Sequence, residues 1–146
     1  MRFCMNFLIG SIVCVMIPAF ANPIVDVFGY YFPVDENINT IGFKYFQLDS
    51  LAEENTGLIT GVLHINEGEG SSDLEIQGTL KGTTLKFKTK PYNGESYSFS
   101  GDFKRLGDLP VVQPTDKDML CGSLRVIKNK MVIRQSLLMF RYEAGD

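Results

Sequence analysis

His64 is the one imidazole in the chain, and Cys121 is the one thiol outside the first fourteen residues. A metal site needs several such ligands, and a nucleophilic cysteine needs a base. His64, in GVLHIN, falls on the face opposite Ile59, Leu63 and Ile65 of an alternating segment, as a half-exposed strand histidine would. Cys121, in MLCGSL, falls opposite Leu120 and Leu124 and reads as a small, semi-buried apolar thiol. The carboxylate pairs Glu53-Glu54 and Glu67/Glu69 form no D-x-D-x-D-G calcium loop and read as solvated tips. Lys86, Lys88 and Lys90 form a basic stripe on one strand face. Carboxylates on the neighbouring strand are expected to neutralise much of it, leaving a solvated, edge-protecting face. A phosphate- or glycan-facing role is the sharper alternative for the same row. No glycine-rich loop follows a strand and opens a helix to hold phosphate. These residues make no catalytic constellation, and the reading is of a protein that is not an enzyme and needs no metal or cofactor.

A second group of residues points to contact rather than catalysis. The longest non-strand segment is Arg105–Asp118, RLGDLPVVQPTDKD, in which Pro110 and Pro114 fix an extended course. Leu109, Val111 and Val112 are apolar where a loop should be polar, which marks them as anchors for a partner or for the loop itself. Asp108, Asp116 and Asp118 would give an acidic rim suited to steering a basic protein. Asp49–Thr56, also acidic, would assist from a neighbouring loop.

The elements that must position these groups are strands. From Asp73, DLEIQGTL places Leu74, Ile76, Gly78 and Leu80 on one face. From Thr84, TLKFKTK does the same with Leu85, Phe87 and Thr89, and SYSFSGDFK with Tyr97, Phe99, Gly101 and Phe103. A period of two with one wet face is the mark of antiparallel strands. A Lys81-Gly82 turn would set Gln77 opposite Lys86, Glu75 opposite Lys88 and Asp73 opposite Lys90. At Tyr92-Asn93-Gly94-Glu95 a two-residue turn would put Lys88 against Phe99, so an odd loop with a bulge at Gly94 is expected instead. Further strands are expected at 26–33, 40–48, 57–66, 119–127 and 131–142, the last two joined around Lys128-Asn129-Lys130. Glu67–Ser72 is expected to be a flexible acidic tip.

About eight antiparallel strands in one domain, residues 22–146, suit an all-β up-and-down barrel, with a two-sheet sandwich as the alternative. Glycines at the core-facing positions 61, 78, 101 and 122 favour the barrel, whose corners bend sharply. Phe28–Phe32, Phe43–Phe46 and Leu137–Phe140 are apolar on both faces, so their outer sides are either covered or meet a partner.

The N-terminus reads as an export signal. Arg2 precedes the apolar run Phe7–Ile17, Pro18 ends it, and Ala19 and Ala21 form an A-x-A site, placing cleavage before Asn22. The run is short of the roughly 20 apolar residues that a spanning helix needs. Past this segment, 17 acidic residues outweigh the basic ones, which argues against nucleic acid as a partner. A lone cysteine and the lack of an N-x-[ST] sequon favour the bacterial periplasm, or secretion beyond it, over a eukaryotic secretory route.

The aromatic first strand at Tyr30-Tyr31, the Gly-punctuated strands GTLKGTTLKF and NGESYSFSGDF, and the closing apolar hairpin resemble small lipocalin- or avidin-like barrels of the bacterial envelope. The G-x-W of true lipocalins is absent because the chain has no Trp, so no ligand residue carries over. The expected function is a non-catalytic exported binding protein with a protein partner, such as an inhibitor or immunity protein for a toxin or hydrolase. The lipocalin resemblance implies the alternative, a carrier of a small apolar ligand inside the barrel.

Overall fold

In the computed structural model of this chain the described residues are 27–34, 42–49, 57–67, 70–104 and 119–145. They form eight strands: β1 Gly29–Pro33, β2 Phe43–Leu48, β3 Leu58–Glu67, β4 Gly70–Lys81, β5 Thr84–Thr89, β6 Glu95–Phe103, β7 Leu120–Lys128 and β8 Met131–Glu143. Each pairs antiparallel with the next, and β8 returns to pair with β1, closing an up-and-down barrel. Every strand therefore has a hydrogen-bonded neighbour on each side along part of its length, so none of the described strands is an edge strand. The sandwich alternative falls away. The signal-peptide segment lies outside the described residues.

Alternation decides what lies inside. Leu74, Ile76 and Leu80 of β4, Leu85 and Phe87 of β5, and Tyr97, Phe99 and Phe103 of β6 are all buried. Their strand neighbours Glu75, Lys86, Lys88 and Ser100 are exposed. The wall β4–β6 is therefore apolar within and polar without, the reverse of a membrane-spanning barrel.

The lumen is filled by rings. Phe46 of β2 lies 5.2 Å from Phe87, 5.9 Å from Phe99, 5.1 Å from Phe140 and 4.8 Å from Tyr31, centroid to centroid. These partners come from β5, β6, β8 and β1, so the rings meet across the barrel rather than lining a hollow. Eight strands enclose a space that side chains can just fill, and here aromatic side chains do so. Near one end the Tyr31 hydroxyl donates to the Val27 carbonyl at 2.8 Å and that of Tyr142 to the Phe28 carbonyl at 2.6 Å, so these phenols end in satisfied bonds.

Gly101 and Gly122 face one another across β6–β7, and the Phe99 ring lies over both. A β-carbon at 101 would stand 2.6 Å from Phe99 Cζ, and one at 122 would come as near. These two glycines make room for a ring, a different reason from the bending expected of them.

Two turn readings change and a third holds. The β4–β5 loop is Gly82-Thr83, with Lys81 opposite Thr84, so the register lies two residues from the one expected. A two-residue hairpin of this kind needs positive φ at its first loop position. Gly82 takes φ +60° there, where the expected turn would have put Lys81. At β5–β6, Asn93 (φ 50°) and Gly94 (φ 77°) do form a two-residue turn, closed by paired Tyr92–Glu95 backbone bonds of 2.7 and 2.9 Å. The irregularity sits beyond it, where the Tyr97 N–H bonds the buried Thr89 hydroxyl at 3.0 Å. Phe87 thus faces Phe99. At β7–β8 the loop is Asn129-Lys130, and a register shift at Val126/Ile127 follows it. The acidic tip shrinks, because β3 and β4 stay paired out to Glu67 and Gly70.

Candidate functional site

With the lumen packed, the functional groups of the described residues stand on the outside. One outer row crosses five strands. It starts at Arg141 of β8, whose guanidinium lies 5.5 Å from the centroid of the Phe32 ring on β1. Phe32 meets Tyr45 of β2 at 5.0 Å, and Tyr45 meets His64 of β3 at 4.0 Å with the ring planes 30° apart. The row ends where His64 Nδ1 contacts the Asp73 carboxylate of β4. Tyr30 lies beside it, 6.1 Å from Tyr45 and 6.4 Å from Phe32. The strand register makes the row: Phe32 opposes Arg141, Tyr45 opposes His64, and His64 opposes Asp73. A cation at one end, a carboxylate at the other and stacked rings between them form a continuous amphipathic strip.

The Tyr45 phenol is pushed above its ordinary pKa, first by burial, then by the Asp73 charge and by Tyr30. His64 is 18 % exposed and Asp73 63 %, so the imidazole is held between a ring and a carboxylate. Asp73 thus goes to His64 and not, as expected, to Lys90. The partner that His64 lacked on sequence spacing alone is Asp73. Cys121 stands exposed on β7, four strands from β3 around an eight-stranded barrel, so it does not pair with His64. Among the described residues no group of three or more His, Cys, Asp or Glu could hold a metal ion.

Beside the row, β8 turns apolar residues outward. Leu137 is 71 % exposed and Met139 38 %, while Leu138 and Phe140 between and beyond them are buried. Of the segments read as apolar on both faces, β1 and β2 half-cover their outer aromatics by stacking them on each other, and β8 leaves its outward Leu137 and Met139 exposed.

At the barrel end formed by the β5–β6 and β7–β8 turns, a cleft of about 230 Å³ is lined by Asn66, Tyr92, Tyr97, Glu95 and Arg134 among others. Glu95 accepts from Arg134 Nη2 at 2.6 Å and lies 3.6 Å from Lys128 Nζ, which ties the two turns together.

The sequence-predicted contact residues Asp108, Leu109, Val111, Val112, Asp116 and Asp118 lie outside the described residues. The strand ends that flank them are placed: the Lys104 N–H donates to the Met119 carbonyl at 2.9 Å. The flanks of 50–56 lie at the same end, as the up-and-down order requires. No family model matches the chain, and no curated protein or solved structure matches it either.

Proposed function

We propose that this chain is a non-catalytic binding protein, exported from a bacterial cell to the periplasm or beyond, whose partner is another protein. Inhibition or neutralisation of a toxin or hydrolase is the role that fits best. One observation carries the reading: the apolar, aromatic and charged groups free to recognise anything lie on the outer wall, while the lumen is packed by Phe46, Phe87, Phe99 and Phe140. A small apolar ligand needs an enclosed apolar space, so the packed rings favour a protein over a carried ligand. Tyr, Phe, Met and Arg are the residue types enriched where proteins meet. Leu137, Met139 and the row Arg141–Phe32–Tyr45 supply them on one continuous wall. Arg141 is itself paired with Glu143 at 3.3 Å and Asp73 with His64, so the partner this wall suits is one with an apolar patch to meet Leu137, Met139 and the Phe32 and Tyr45 rings. The anchors Leu109, Val111 and Val112, with their aspartate rim, belong to the same proposal from the β6–β7 connection.

Capture from a bacterial envelope extract tests it. The parent protein is expected to retain a partner protein, and Leu137→Lys with Met139→Lys is expected to lose it at unchanged melting temperature. Native mass spectrometry that instead finds a small apolar molecule bound to the purified barrel overturns the reading.

A further inference from the structure

The observed β4–β5 register has a second outcome on the opposite wall. Glu75 is taken by Lys90, Nζ to Oε2 2.6 Å, and Asp73 by His64. Lys88 then faces Gln77, and Lys86 faces Thr79, both neutral. Among the described residues no carboxylate pairs with Lys86, Lys88 or Arg125. Lys86 and Lys88, two of the three stripe residues, are therefore left with Arg125 as a free cationic surface on an otherwise acidic protein.

The shape follows from the next strands. On the outer face Lys88 of β5 opposes Ser98 of β6, which opposes Arg125 of β7. Lys86 opposes Ser100 in the row beside it. Two strand spacings separate the Lys88 and Arg125 backbones, about 10 Å, and Lys86 lies about 7 Å along the strand from Lys88. Short serines between long cations leave an open trough of about 620 Å³, whose lining also includes Gln77 and Thr79.

We propose that this trough binds a phosphoryl group carried on a hydroxyl-rich molecule, a phosphosaccharide. The Arg125 guanidinium presents a fork of donors matched to two phosphate oxygens, and the Lys88 and Lys86 ammoniums approach as point charges from the other side. The Ser98 and Ser100 hydroxyls donate from the floor. Gln77 and Thr79 flank the lysines and offer amide and hydroxyl groups to sugar hydroxyls. The site is independent of the protein-binding wall and stands or falls without it.

Titration at constant ionic strength, followed by amide NMR, tests the proposal with pyrophosphate and glucose 6-phosphate as probes. Both are expected to move the Lys88, Ser98, Ser100 and Arg125 signals saturably, and glucose alone to move none of them. Lys88→Gln and Arg125→Gln should each weaken binding several-fold, and Lys81→Gln, outside the trough, should leave it unchanged. Non-saturating shifts, or equal losses in all three variants, would mean diffuse charge attraction and overturn the site. Vesicles containing phosphatidylglycerol form the last arm. Binding there that the two trough variants abolish, with none to glucose 6-phosphate, would assign the phosphate to a lipid headgroup and overturn the saccharide.

Discussion

Glu75 of β4 and Lys90, the residue just past β5, are joined by a 2.6 Å contact between carboxylate and ammonium, with both side chains about seven-tenths exposed. Glu75→Lys sets like charges together and is expected to lower the melting temperature slightly, since exposed pairs contribute little. Adding Lys90→Glu should recover the loss, and adding Lys88→Glu should not. Equal recovery by both would refute the observed register. The Lys90 hydrogen bond, then its charge, holds the Glu75 carboxyl below its ordinary pKa. A lowered folded-state value stabilises above the unfolded carboxyl's range and is lost as pH falls through the folded one. The difference between parent and Glu75→Gln should accordingly vanish on acidification.

The Phe99 ring and the Gly101–Gly122 pair form one packing unit. Gly122→Val is expected to destabilise by about 1–3 kcal/mol through overpacking, read from urea unfolding. Combined with Phe99→Leu, which shortens the obstructing side chain, it should cost less than the two single changes added together. Strict additivity would separate the ring from the glycines.

Tyr45 offers a titration test of the outer row. Its folded-state phenol is raised, so that contribution to stability is present below the unfolded phenol's pKa and lost as pH rises through the folded one. Asp73→Asn removes one of the causes and should bring the Tyr45 transition down toward the ordinary value, followed through its ring carbon by NMR. An unchanged or raised transition would mean that Asp73 does not act on this ring.

The facing of the strands was legible because parity is robust. Leu74, Ile76, Phe87 and Phe99 alternate with polar neighbours whatever partner each strand takes, so the inner face follows from pattern, while closure over a sandwich is shown only by the β8–β1 pairing. Register was less legible. A two-residue slip keeps every apolar residue inside and alters only which outer groups meet. That slip decided the contents of the cationic face, since it gave Glu75 to Lys90 and left Lys88 beside Gln77. The His64–Asp73 contact was hidden for a related reason: it depends on how far β3 and β4 remain paired, and the sequence EGEGSS reads as a loop. Of the candidate contact residues, those at 108–118 fall outside the described residues. The outer row emerged only once five strands were set side by side.

A protein partner is proposed to dock on the outer wall formed by β8, β1 and β2. The direct measurement is photo-crosslinking in envelope extract, with a benzoylphenylalanine placed at Leu137 in one variant and at Lys81 in another. One discrete crosslinked protein is expected from position 137 and none from position 81. The same product from both positions, or none from 137 while the parent still captures its partner, would contradict this docking.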